Sequence, residues 1–384
     1  MAHGSAATDA CRMATPDLPR YASVDPPTPP EPSVLRVREP GELVAAVPVL
    51  LGFHPRRSLV LIATGGASGR RLGLTLRVDL PPPEHAAPVG ADAVRSLLLD
   101  APTGAAVIVV ADSAGTGPPH SELVDLVVNA LEARSVDVHT VLWTEGTTAG
   151  ARWACYDPCG CAGVVPDSSA TPFAAAAVAG GRVVRGDREE LEQLVAPADP
   201  ERIRRREMLL IRAVDDALDG SDPDAAVGTG TVDATAAIDS AMVDAGGGRL
   251  VLDDARVLAL TAALAVPAAR EAALLRCIGP APVAAEQLWT ALVRETPDPE
   301  AAEPAVLLAV SAMLRGDGAL ANVALDRAEQ AWPGHRLAGI LRPVLLGMRP
   351  EEIRALLRGR VQRDPGAGPF PRQRRTVRRN RRSA

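Results

Sequence analysis

Apolar residues follow two rhythms along this chain. Between residues 34 and 165, short dense runs alternate with amphipathic stretches. From about residue 199 onward only helical spacing remains. SLVLIA (58–63) and AAVIVVAD (105–112) are continuous apolar runs of strand length, the pattern of strands covered on both faces. LGLTLRVDL (72–80) alternates weakly and ends in PPP, which predicts a hairpin partner for the first run across the turn GGASGRR (65–71). VDVHTVLWT (136–144) predicts a further strand. Between these runs, GELVAAVPVLL (41–51) sets Leu43, Ala46, Val47, Leu50 and Leu51 on one helical face, and Pro48 is expected to bend or end that helix. DAVRSLLLD (92–100) is helical, and HSELVDLVVNALEAR (120–134) is an amphipathic helix with Ser121 as the expected N-cap. Two more helices are expected over 171–181, ending at Gly180 or Gly181, and over 186–196, capped by Asp187. This alternation predicts an α/β domain: a mixed sheet with helices on its faces.

The second half predicts an all-α helical bundle. Its helices fall at 201–218, 250–266, 282–295, 302–316, 317–334, 335–347 and 350–361, with 219–234 as a loop or linker. Within it, Leu308, Gly316, Ala321, Leu325, Ala328 and Pro333 have the spacing of one tetratricopeptide-like hairpin. Gly316 lets the chain turn, the alanines let two helices approach, and Pro333 stops the second. One copy is too few for a solenoid, so the hairpin is expected to pack inside a compact bundle. The proline-rich leader 1–33 and the arginine-rich tail 363–384 are expected to be disordered. The domains are thus an α/β domain at 34–198 and an α-helical domain at 199–362.

Composition narrows the chemistry. Hydrophobic residues make up 47% of the 384, but aromatics only 2%, so the core must be built from Ala, Val and Leu. The chain contains no lysine; all 41 basic residues are arginine. Schiff-base, P-loop and kinase-type lysines are therefore excluded. Net charge is −6; setting aside the seven arginines of the last 13 residues leaves a body near −13. An acidic body and a tail poor in aromatics weigh against nucleic-acid binding. The longest apolar runs, near ten residues, are half the roughly 20 that a membrane span requires. No signal peptide is apparent, and five cysteines with three clustered do not form a secreted disulfide framework. A cytoplasmic protein is expected.

Four features could carry chemistry. His54, in the turn Gly52-Phe53-His54-Pro55, could act as a base or ligand with Arg57 or Ser58 beside it, or could simply form a tight helix-to-strand corner. Asp112 and Ser113, following the strongest strand, could form a small-ligand site beyond its carboxyl end, and Asp79 could join it. Cys155, Cys159 and Cys161 could bind a metal, zinc above all, with His139, Asp157 or Cys277 completing four donors; a redox pair or a reduced structural turn are the alternatives. The arginine tail could contact nucleic acid by charge alone.

VPVLLGFHPRRSLVLIA followed by LRVDLP resembles the opening signature of the actinobacterial domain of unknown function 4192 family. RWACYDPCGC, AAAAVAGGRVV and RGDGALANVALDRAEQAWPGHRLAGIL extend the resemblance over roughly residues 34–360. In the family a cysteine is followed by an adjacent Cys-Cys pair and a proline; here Gly160 separates Cys159 from Cys161, and Ala162 follows. The resemblance implies no activity. The sequence reads as a non-enzymatic regulatory or protein-interaction protein, with the helical domain as the surface for a protein partner. An enzyme or small-ligand sensor built on the α/β domain, and nucleic-acid association through the tail, are the alternatives.

Overall fold

In the computed structural model, strands β1 (Ser58–Gly65), β2 (Arg71–Asp79), β3 (Gly104–Val110), β4 (Asp137–Thr144), β5 (Arg152–Cys155) and β6 (Ala162–Val164) form one sheet in the order β2-β1-β3-β4-β5-β6. The structure describes residues 39–66, 71–112, 117–167, 183–220 and 229–363, all within one compact unit. The sheet is mixed: β3 and β4 run parallel, and every other neighbouring pair is antiparallel. The period of two along β1 and β3 explains their unbroken apolar character. Leu59, Leu61, Val107 and Val109 enter one core, while Val60, Ile62, Ala106 and Ile108 enter another.

Helices α2 (Ala86–Leu97) and α3 (Ser121–Glu132) cover the first face with Ala93, Val94, Leu97, Leu123, Val127 and Leu131. The second face is covered by α1 (Pro40–Leu51), nine of whose twelve residues are buried. The single apolar face expected from Leu43, Ala46, Val47, Leu50 and Leu51 is therefore an incomplete description. Val44, Ala45 and Val49 are buried as well, because α1 has protein on all sides. Pro48 sits inside the helix and does not end it; the helix ends at Gly52, which adopts φ +81° and donates its N–H to the Pro48 carbonyl at 2.7 Å. At the other end, a Cβ on Gly41 would lie 2.8 Å from Trp153 Nε1 of β5. The helix thus crosses the sheet from β5 to the β2 edge.

Beyond a short α4 (Arg188–Gln193), the chain is helical: α5 (Pro200–Gly220), α6 (Thr229–Gly246), α7 (Asp254–Ala265), α8 (Pro267–Arg276), α9 (Pro282–Glu295), α10 (Ala302–Arg315), α11 (Gly318–Ala331), α12 (Arg336–Gly347) and α13 (Pro350–Arg363). Its interior is continuous with the α1 side of the sheet: one apolar cluster runs from Leu43 and Ile108 through to Leu308 and Ile353. The expected hairpin is α10–α11, with Gly316 at φ +79° and Leu308, Ala321, Leu325 and Ala328 fully buried. Arg206 on α5, with 1% of its side chain exposed, donates to Asp254 at the start of α7, to the Leu252 carbonyl, and to the carbonyl and carboxylate of Glu295 at the end of α9. It thereby fastens three helices at one buried charge.

Several expectations change. Ser121 is the first residue of α3, not its cap; His120 precedes it at φ +62° without a side-chain capping bond. Asp187 does cap α4, accepting the Glu190 N–H at 3.0 Å. The linker expected over 219–234 is helical from Thr229, because Ala234, Ile238 and Ala241 are buried against the bundle and tertiary packing overrides a weak local signal. The single helix expected over 250–266 begins at Asp254, and a separate α8 follows after a 102° bend. Strands β5 and β6, of four and three residues, have no counterpart among the strands expected from the sequence. The leader, the tail and the helix expected over 171–181 lie outside the described residues. Among the described residues, no single helix is long and apolar enough to cross a membrane.

Two glycines give opposite expectations. Gly52→Ala forces a side chain into the left-handed region and is expected to lower stability by about 1–2 kcal/mol. Gly339→Ala, inside α12 with no atom within 4 Å of the new Cβ, is expected to raise stability by about 0.5–1 kcal/mol. Urea unfolding midpoints of the two variants check both signs.

Candidate functional site

The register gathers several candidate residues at one end of the sheet. Ser58 faces both Asp79 and Val110, and Val110 faces Thr144. The Gly52–Pro55 corner therefore lies beside the ends of β2, β3 and β4. Its backbone is pinned to the segment before α4: Arg185 N–H donates to the Gly52 carbonyl at 2.9 Å, and His54 N–H donates to the Arg185 carbonyl at 3.2 Å. His54 Nδ1 lies 2.8 Å from Thr147 Oγ1 in the β4–β5 loop. Thr147 is a partner that nothing in its polar loop sequence signals. Burial lowers the His54 pKa below its ordinary 6.5, which favours the neutral ring.

Ser58 does not stand ready as a nucleophile for His54. Its hydroxyl donates to the Arg56 carbonyl at 2.7 Å and accepts from Arg77 Nε at 2.7 Å. Arg77 also pairs with Asp79. Nucleophile and base are thus committed to different partners, and the corner is built as a corner.

Two clefts open here. A polar one of about 390 Å³ contains His54, Arg56, Arg57 and Asp79, with Asp187 and Glu189 from the start of α4 opposite. An apolar groove of about 450 Å³ runs along β2, the outermost strand of the sheet. Leu74 and Leu76 form its floor, Val89 and Ala93 of α2 one wall, and Ala319, Val323 and Leu345 of α11 and α12 the other. The two share Phe53, Arg77 and Arg188. Arg188 holds the far wall in place through Asp326 of α11 at 2.9 Å, and Arg342 of α12 reaches the same carboxylate at 2.5 Å. Thr75 lines the groove, and its buried hydroxyl has no hydrogen-bond partner among the described residues. Arg56 and Arg57 are exposed, and no described carboxylate forms an ion pair with either.

Of the residues singled out in the sequence, His54 and Asp79 share the polar cleft. Asp112 is exposed past the end of β3 and lines neither cleft, and Ser113 lies outside the described residues. The three cysteines sit on the β5–β6 hairpin, with β1, β3 and β4 between them and β2. Their sulfurs all lie within 4.8 Å of one another, a group that can hold a metal ion. The fourth donors considered in the sequence do not join them. His139 leans over Gly104 of β3, Cys277 is buried in the helical core, and Asp157 is outside the group.

A family model, domain of unknown function (DUF4192), matches residues 40–351, and the chain belongs to that family. No curated protein and no solved structure matches the chain.

The lowered His54 pKa fixes a sign. The unfolded chain takes up the proton more readily than the folded one, so stability is full above about pH 6.5 and falls as pH drops toward the lower folded value. His120, also lowered by burial, acts in the same direction. His54→Gln is expected to lose less stability than the parent between about pH 7.5 and about pH 5.5. Urea titrations at both pH values check this; equal losses contradict it.

Proposed function

We propose that this protein is a non-enzymatic interaction protein that takes an extended peptide segment into the apolar groove along β2. One observation carries the reading: the groove's floor is the outer strand of the sheet, with helices from both faces rising as its walls. An outer strand offers a row of backbone donors and acceptors, and an added strand satisfies them while its alternate side chains enter the apolar walls. One donor is already taken: the Leu74 N–H reaches Asp100 Oδ2 at 2.8 Å. The expected segment has alternating apolar residues and an acidic residue or carboxyl terminus where it reaches Arg56 and Arg57. The separate partners of His54, which lines the adjoining cleft, and of Ser58, buried behind it, support a binding role over catalysis.

A second reading has its own support. The groove volume lies within the roughly 300–1,000 Å³ of small-molecule pockets, and its shared boundary with the polar cleft suits an acyl chain with a carboxylate head. Both readings belong to a reducing compartment such as the cytoplasm, where three neighbouring thiols stay unpaired.

Selection from a random peptide library displayed on phage separates them. The expected result is a set of alternating apolar, acidic-ended peptides whose binding is lost in Val89→Trp and Ala319→Trp, which fill the groove from its two walls. N-methylation at alternate residues of a selected peptide, which removes its ladder donors, is expected to abolish binding as well. Peptides that bind both variants as well as the parent overturn the reading. Failure to select any peptide, with a dansyl-labelled fatty acid bound saturably and lost in Ala319→Trp, establishes the second reading in its place.

A further inference from the structure

The β5–β6 hairpin lies apart from the groove, and its chemistry is unused by the proposed function. Cys155 closes the strand and Cys161 opens the return; the Cys155 N–H donates to the Cys161 carbonyl at 2.9 Å, so the two residues face each other across the hairpin. Gly160, at φ +69° with open space around it, turns the loop so that Cys159 folds back between them. The Cys161 N–H then donates to Cys159 Sγ at 3.4 Å. Such a backbone donor stabilises a thiolate. Cys159 and Cys161 are exposed, so an ion can reach the sulfurs directly.

We propose that these three cysteines form a three-sulfur site for a soft monovalent metal ion, Cu(I). The donor set decides the ion. A closed structural zinc site needs four donors, and among the described residues only three stand together, all of them sulfur. Thiolates select soft ions, and Cu(I) is satisfied by three. Metal–sulfur bonds of about 2.3 Å set the sulfurs of a three-coordinate site roughly 4 Å apart, and the three sulfurs already lie within 4.8 Å of one another. Binding replaces the thiol protons, which pass to solvent, and changes no oxidation state.

The test uses the full-length reduced protein under anaerobic conditions, titrated with Cu(I) against a colorimetric Cu(I) chelator. The expected result is one equivalent retained, with a sulfur-to-metal charge-transfer band in the ultraviolet. Cys155→Ser, Cys159→Ser and Cys161→Ser are each expected to weaken retention on the order of a hundredfold or more. Cys277→Ser, buried in the helical core, is expected to leave it unchanged. Circular dichroism identifies any variant that has failed to fold; Cys159 and Cys161 lie outside both apolar cores, so their variants keep the test decisive. No retention, retention unchanged in Cys159→Ser and Cys161→Ser, or displacement of Cu(I) by equimolar Zn²⁺ would overturn the proposal.

Discussion

Everything in this fold depends on burying α1. A helix apolar all round cannot rest on a surface; it must have protein on every side. The sheet supplies one side, and the apolar cluster that α1 joins continues into α10 and α11. Burying Leu43, Val44 and Val47 contributes roughly 1.5–3 kcal/mol each. With almost no aromatics in the chain, Val, Leu and Ala must fill the layer between sheet and bundle. The two sequence rhythms, strand-like and helical, therefore meet in one shared interior.

The clefts follow from that arrangement. Because α1 ends at the β2 edge, its Gly52 cap delivers Phe53 and His54 to the same place as α11 and α12. Helices on the two faces overhang the outermost strand and leave a groove along it. The polar cleft is the exit of the same corner, where Arg77 is held by Ser58 and Asp79 and Arg188 by Glu192 and Asp326. The cysteine hairpin belongs to the opposite edge of the sheet, where β6 is exposed along its length.

Much of this was legible in residue patterns. The continuous runs at 58–63 and 105–112 identify strands covered on both faces, and the bundle helices from 282 to 361 fall where their apolar spacing sets them. The Gly52-Phe53-His54-Pro55 corner reads correctly as a helix-to-strand joint. What was hidden depends on partners distant in sequence. The all-round burial of α1 exists only once both layers are present. His54 finds Thr147, 93 residues away, in a loop without a distinctive pattern. Strands of three and four residues are too short to show a period, so the pairing that brings Cys155 opposite Cys161 appears only in the folded hairpin. The groove itself has no sequence signal, because its walls come from separated segments.

Native-state hydrogen exchange on Val47→Ala tests the shared interior most directly. Val47 is fully buried in α1. If α1 joins the two layers into one cooperative unit, protection of the β1 and β3 amides and of the α10 and α11 amides falls by the same free energy. A loss confined to the sheet amides, with α10 and α11 unchanged, would contradict the account.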